Sequence, residues 1–172
     1  MSELFSIQLQ NRQQQGRDGV WLDLPTTTEQ VQAALRQIGI SSDNPQGLFI
    51  SGYFAEEEKR FAIPYNMVLA SNVDELNFLA SRLETLSTGE RAELNAALQA
   101  PQSELFSIGK ITDFPENVDY YVHLQDVHGP AQLGDYYLNR SGMVDMPEEW
   151  KGGIDTVQFG RYVAQQEQGA FT

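Results

Sequence analysis

The chain of 172 residues contains no cysteine and only two histidines. Without cysteine it can form no disulfide and no thiolate metal site and can supply no thiol nucleophile, a composition that fits a reducing compartment. No stretch approaches the roughly 20 apolar residues that a membrane-spanning helix needs, and the opening residues lack the basic and apolar segments of a secretion signal. We therefore expect a cytoplasmic protein.

Positive charge is also scarce. Eleven lysines and arginines stand against 24 aspartates and glutamates, which gives a formal net charge of −13. Nucleic acids and anionic membranes repel such a surface, so we expect neither as a direct partner and favour a basic protein instead. Hydrophobic residues at 41% and aromatic residues at 10% are sufficient for a packed core, so the chain is expected to fold.

Several catalytic motifs are missing. The sequence has no GxSxG, HExxH, GxxxxGK[ST] or GxGxxG, the motifs of many serine hydrolases, zinc hydrolases and nucleotide-binding proteins. His123, Asp126 and His128 lie close together in sequence, but a zinc or iron site needs a further ligand and groups that orient the ligands. A glycosidase-like carboxylate pair stays open, because 24 acids allow many pairs. We expect no enzyme activity and no cofactor or metal, with a metal-dependent enzyme as the less favoured alternative.

The apolar patterns predict an α+β fold. Alternating residues predict strands at 4–9, 20–24 and 47–54. A helix is predicted between the last two strands, with one apolar face formed by Val31, Ala34, Leu35 and Ile38. A threonine before Glu29 is expected to cap its start, and Gly39 is expected to end it. These elements predict an N-terminal α+β module over residues 1–66.

A helical module is predicted over residues 67–117. Asn72 with Glu75 and Ser87 with Glu90 have the spacing of capping boxes, so two helices should meet near Ser87. The apolar residues of the first helix recur every three or four positions, namely Val73, Leu76, Leu79, Ala80, Leu83 and Leu86. A third, short helix is expected at 103–109.

Residues 118–172 are predicted to form a second α+β module. Its expected elements are a strand at 118–127, a helix from Pro130 that Gly142 closes, and a helical turn that begins at Pro147. The whole chain is thus expected to consist of three small modules in a row. Acids exceed bases by 3, 5 and 5 in residues 1–71, 72–117 and 118–172. The excess is not confined to a tail, so a continuous negative surface is predicted.

Five segments resemble the antirestriction protein ArdA family in order and approximate spacing. They are "GVWLDLPTTTEQVQAALRQIGI", "VDELNFLASRLETL", "LGDYYL", "MPEEW" and "IDTVQFGRYVAQQEQGAFT", and the resemblance runs from about Phe5 to Thr172. It implies an elongated, non-catalytic protein of mobile elements that imitates the phosphates of bent DNA. Such a protein occupies the DNA-binding groove of the methyltransferase and specificity core of Type I restriction-modification enzymes.

The resemblance also implies which residues act. The expected acidic surface consists of Glu56, Glu57, Glu58, Asp74, Glu75, Glu84, Glu90, Glu93, Glu104, Asp113, Glu116, Asp119, Asp126 and Asp135. For Glu56–Glu58 the alternative is an ordinary solvated loop. A homodimer through the C-terminal module is expected, with Tyr136, Tyr137, Trp150 and Phe159 as interface candidates, although each could equally belong to the core. A decoy for another DNA-binding defence or regulatory protein is the alternative function.

Overall fold

The computed structural model describes residues 3–14, 16–43, 45–101 and 103–172. Helices make up 49% and strands 12% of the residues that the structure describes, so the predicted α+β class is confirmed. The chain divides into two compact units, of which the first comprises Met1–Leu98 and Ser103–Tyr121 and the second Gln99–Gln102 and Val122–Thr172. The division into three modules at residues 66 and 117 stays a prediction.

A three-stranded antiparallel sheet opens the first unit. Its strands are β1 (Phe5–Asn11), β2 (Val20–Leu24) and β3 (Leu48–Phe54), in the order β2-β1-β3. The three predicted strands are therefore confirmed. Alternate residues point to opposite faces of a strand, and Phe5, Ile7 and Leu9 accordingly lie buried on the inner face.

Helix α1 (Thr28–Gln37) follows β2 and begins and ends where the sequence predicts. The side chain of Thr27 accepts a hydrogen bond from the backbone N–H of Gln30, which caps the helix. Gly39 has a φ of +70°, the left-handed conformation that commonly terminates a helix. Ala34 and Ile38 of the predicted apolar face are buried, so this face packs on the core of the unit.

The remaining helices of the first unit are short. They are α2 (Tyr65–Leu69), α3 (Val73–Glu84), α4 (Thr88–Gln99), α5 (Ile108–Thr112) and α6 (Phe114–Asn117). All six apolar residues predicted to line α3 and its end are buried. Together with the inner face of the sheet they form one hydrophobic core, so the periodicity identified the buried side of this region correctly.

The helix predicted at 103–109 is wrong in position. Residues 103–106 are not helical, and α5 begins only at Ile108. The cause is local, because the backbone of Ser107 is extended and its side chain accepts a hydrogen bond from the N–H of Lys110 at 3.2 Å. A serine in this geometry fixes the first residue of a helix.

The strand predicted at 118–127 is also wrong. Val118–Tyr120 forms a 3-10 turn, and the chain from residue 121 to 129 is irregular. Strand preference of aromatic and β-branched residues depends on a neighbouring strand and a surface to pack on. Here the ring of Tyr121 instead lies 5.1 Å from the ring of Phe114, on the core of the first unit.

The second unit contains three helices, α7 (Pro130–Asn139), α8 (Glu148–Lys151) and α9 (Thr156–Gln166). The helix from Pro130 and the turn after Pro147 are confirmed, and Gly142 has the left-handed φ of +71°. Helices α7 and α9 cross at two glycines, where a methyl group on Gly134 would overlap the carbonyl of Thr156. The absence of side chains at the crossing lets the two backbones touch.

None of the helices in the described ranges has the length and apolar character that crossing a membrane requires.

Replacing Gly160 by alanine tests the close crossing of α7 and α9. A methyl group there would overlap the carbonyl oxygen of Pro130, and backbone atoms cannot move aside as a flexible side chain can. We expect Gly160→Ala to lower the free energy of unfolding by about 3 kcal/mol, the upper part of the usual range for overpacking. Urea denaturation of the full chain measures this.

Gly152→Ala is the matched control. Gly152 has a helical φ of −66°, and a methyl group there would meet no atom within 4 Å. Equal stability of the two variants would show that the glycine crossing does not hold the unit together.

Candidate acidic interface

The fourteen predicted carboxylates lie at or near the surface, and none of them is buried. Ten are exposed, while Glu84, Glu90, Glu93 and Asp135 are half-buried. An ionised carboxylate loses much hydration energy when it is buried without a partner. Their positions therefore satisfy the solvation requirement of an acidic surface.

Negative charge is concentrated in the later part of the first unit. Residues 53–121 contain twelve acids and five bases, a net charge of −7. Residues 1–52, which include the sheet and α1, contain five acids and three bases, a net charge of −2. The helical part of this unit is thus the strongly acidic part, and the sheet is close to neutral.

The first turn of α3 carries two exposed carboxylates, Asp74 and Glu75. The side chain of Asn72 caps this turn and accepts a hydrogen bond from the N–H of Glu75 at 2.9 Å. The unpaired backbone amides of a helix N-terminus favour negative charge. This local interaction stabilises both carboxylates whether or not a partner binds them.

The first turn of α4 contains the predicted capping box. The backbone N–H of Ser87 donates to the carboxylate of Glu90 at 2.7 Å, and the N–H of Glu90 donates to the hydroxyl oxygen of Ser87 at 3.3 Å. Hydrogen bonds from the Ser87 hydroxyl and backbone N–H hold the pKa of Glu90 below its ordinary value of 4.5. Glu90 is therefore ionised at neutral pH and is also part of the helix start.

Glu56, Glu116 and Asp135 each form an ion pair. Their distances are 3.0 Å for Lys59 with Glu56, 2.8 Å for Arg82 with Glu116 and 3.4 Å for Arg140 with Asp135. Surface pairs of this kind contribute about 0 to 1 kcal/mol and weaken in salt. A basic partner could therefore replace the lysine or arginine at modest cost.

The interface candidates of the second unit lie on its three helices. Tyr136 and Tyr137 on α7 and Phe159 on α9 are half-buried, whereas Trp150 on α8 is 66% exposed. The rings of the two tyrosines meet edge to face at 5.6 Å. Burial, with the negative charge of Glu167 as a smaller cause, raises the pKa of Tyr137, so its hydroxyl stays protonated at neutral pH.

His123, Asp126 and His128, the possible metal ligands of the sequence, do not form a three-ligand group in the part of the chain that the structure describes. His123 is half-buried, while Asp126 and His128 are exposed. Across the residues that the structure describes, no group of three or more histidine or carboxylate side chains is arranged to hold a metal ion.

Several exposed aromatic residues of the acidic region were not predicted as site residues, among them Phe78, Phe106 and Tyr120. Phe78 lies on α3 and is 59% exposed. It falls outside the spacing of three and four that places Leu76 and Leu79 in the core, and this offset was the available signal. An aromatic residue outside the apolar stripe of an amphipathic helix should be expected on its surface.

Comparison with known proteins identifies the family. The family described as "Antirestriction protein (ArdA)" matches residues 15–172. The chain therefore belongs to the ArdA family of antirestriction proteins, as its sequence motifs predicted. A search of curated proteins gave no significant match.

Removing the Ser87 hydroxyl tests the electrostatics of the capping box. In Ser87→Ala we expect the pKa of Glu90 to rise toward 4.5, because one of its two hydrogen-bond donors is lost. A carboxyl whose pKa is lowered by folding stabilises the folded state above its unfolded pKa, and this contribution is lost as the pH falls through the lowered value. Carbon NMR titration of the Glu90 carboxyl measures the pKa.

Ser81→Ala is the control, because the Ser81 hydroxyl donates to the carbonyl of Phe78 within α3. It should leave the titration of Glu90 unchanged. The same Glu90 pKa in Ser87→Ala and the native protein would contradict the assigned cause.

Proposed function

We propose that this protein is a non-catalytic inhibitor of Type I restriction-modification enzymes that acts as a DNA mimic. Its acidic surface occupies the DNA-binding groove of the methyltransferase and specificity core, and incoming mobile-element DNA is thereby protected. The observation that carries the proposal is the charge of residues 53–121, where twelve carboxylates face five bases and none of the twelve is buried. Membership of the antirestriction family supports the target class.

Charge density sets how closely the mimic matches DNA. Helix α3 has 12 residues and is therefore about 18 Å long. Duplex DNA of that length carries about ten charges, whereas α3 carries three acids and one arginine. The protein is thus less charged than the DNA it replaces, so its binding should depend on salt less steeply than that of DNA.

Binding alone is sufficient for the proposed protection. An occupied groove excludes DNA by competition, so the proposal requires no bond to be made or broken and no cofactor. It also accounts for the distribution of the acids over several helices, because a DNA-binding groove contacts many phosphates and few single contacts dominate. A homologous decoy directed at another DNA-binding protein would use the same surface.

Neutralising exposed acids of the charged region is expected to weaken target binding. The test variant changes Asp74, Glu75, Glu104 and Asp119 to the corresponding amides. If these acids act independently, each contributing about 0.2 to 1 kcal/mol, affinity for a Type I methyltransferase core should fall by about fourfold to a thousandfold, and the salt dependence should become shallower. Glu75→Gln alone should be nearly silent. Competition against a cognate DNA duplex over a salt series measures these effects.

The matched control neutralises Glu3, Asp18, Glu29 and Asp43. These four acids are also exposed, and the change in net charge is the same, but they lie in the nearly neutral part of the unit. Equal losses of affinity in both variants would mean that the net charge of the protein, and not the acidic surface of residues 53–121, governs binding. Salt-independent binding, or equal inhibition of an unrelated DNA-binding protein, would contradict the proposed mechanism or its target.

We further propose that the second unit forms a homodimer. Between Val122 and Thr172 the buried apolar side chains are Leu133, Leu138 and Val163. So small a core stabilises an independent unit poorly, and oligomerisation is a common way to bury further apolar surface. The exposed ring of Trp150, with Tyr136, Tyr137 and Phe159 half-buried on neighbouring elements, supplies that surface.

Trp150→Ala is expected to raise the dimer dissociation constant about tenfold or more, because buried tryptophans are frequent energetic centres of interfaces. The second unit has a net charge of −4, so two copies repel, and the dimer should tighten as salt rises. Sedimentation velocity over a concentration and salt series measures both effects. Trp21→Ala, on the sheet of the first unit, should leave the dimer intact. A native protein that is monomeric throughout would refute the dimer.

A further inference from the structure

The solvent-facing side of α3 carries one large apolar side chain. Phe78 is 59% exposed, although Leu76 and Leu79 on either side of it are completely buried. Exposed apolar residues are common on proteins when they are scattered. Phe106 and Tyr120 in the same acidic region are more exposed, but Phe78 lies within a longer helix and has charged residues one turn away in both directions.

Charged residues flank Phe78 along the same face of the helix. Asp74 and Glu75 precede it by four and three residues, and Arg82 follows it by four. Residues at these spacings are neighbours on a helix surface, with Cβ atoms about 5 to 6 Å apart. The guanidinium of Arg82 in turn holds Glu116 at 2.8 Å. Phe78 therefore has two carboxylates one turn before it on the helix surface and an arginine, paired with a third carboxylate, one turn after it. We call these four charged groups, which together are negative, the rim.

Helix α3 is firmly attached to the rest of the unit at this point. The side chain of Asn77 donates to the carbonyl of Thr26 at 3.0 Å and accepts from the N–H of Thr26 at 2.7 Å. This pair of hydrogen bonds fixes the rotation of the helix about its axis, together with the buried leucines. Phe78 consequently stays on the surface, presented from a rigid element, as suits a residue that enters a partner.

We propose that Phe78 is the apolar anchor of the target-binding face. This inference rests on the proposed function, and its occupant is the basic DNA-binding groove of the target enzyme, chosen because the rim around the ring is acidic. An aromatic side chain that enters a pocket while polar groups surround it is the usual arrangement of an interface hot spot. The ring contacts apolar groups between the basic side chains, and the rim carboxylates pair with those bases.

The anchor gives the protein an interaction that the DNA phosphates lack. Attraction between charges weakens as salt is added, because the counterions released on binding gain less entropy in concentrated salt and the charges are screened. Burial of an uncharged ring does not weaken in this way. The inhibitor should therefore retain affinity at salt concentrations that release DNA from the same groove.

The experiment compares Phe78→Ala with the native protein in binding to the methyltransferase core at several salt concentrations. We expect affinity to fall about tenfold, by the same factor at every salt concentration, so that the slope of log affinity against log salt is unchanged. Phe78→Leu, which keeps an apolar side chain, should retain most of the affinity. Alanine is the better helix former at an exposed position, so the fold should survive, as circular dichroism and the melting temperature will show.

Trp21→Ala is the control for loss of an exposed aromatic ring. Trp21 is 50% exposed on the outer face of the nearly neutral sheet, and its removal should leave affinity unchanged. If Phe78→Ala binds as tightly as the native protein, the anchor is refuted while the mimic stands. If the native protein does not compete with DNA, both fail. A change in oligomeric state in Phe78→Ala would assign the ring to a contact between copies and overturn the proposal.

Discussion

The need to keep many carboxylates hydrated is the constraint on which the rest of the first unit depends. Twelve acids in residues 53–121 must remain at or near the surface, because each would lose several kcal/mol of hydration in a dry interior. The core is therefore left to the narrow apolar stripes of short helices and to one face of the sheet. Val73, Leu76, Leu79, Ala80 and Leu83 form such a stripe, and every member is buried. Amphipathic helices separate the two requirements within a single element.

Capping reconciles the charge with folding. Asp74 and Glu75 lie in the first turn of α3, and Glu90 closes the capping box of α4. At these positions negative charge stabilises the helix, so part of the repulsion between acids is offset by the backbone that carries them. The same acidic residues can consequently stabilise the starts of helices and form part of a surface that imitates DNA. The position of an acid in a helix therefore does not show whether it stabilises the helix or binds a partner. Neutralising two sets of acids that change the net charge equally does distinguish these roles.

Local rules predicted the parts of the fold whose causes are local. The cap at Asn72, the capping box at Ser87 and the stripe of α3 each depend on neighbouring residues, and the sequence located them well. The strand predicted at 118–127 failed because a strand needs a partner, and Tyr121 packs against Phe114 instead. The crossing of α7 and α9 was not predicted, because Gly134 and Gly160 matter only where two helices that are distant in sequence come into contact. Ten of the fourteen acids are exposed and none is buried, but residue type alone nearly ensures that outcome.

Selectivity is the remaining physical problem for an acidic inhibitor. Long-range attraction between a negative surface and a basic groove speeds association, yet any DNA-binding protein offers such a groove, so charge by itself discriminates weakly. Discrimination requires short-range contacts that only the correct groove accepts. The proposed anchor, Phe78, would supply such a contact. It lies on α3 one turn after Asp74 and Glu75 and one turn before Arg82, which pairs with Glu116, and hydrogen bonds between Asn77 and Thr26 hold the helix in place. A groove of the right charge that lacks an apolar pocket at this point would have to bury polar groups against the ring, and the loss of their hydration would weaken binding. This energetic cost would allow a mimic of a general polyanion to favour one class of enzyme.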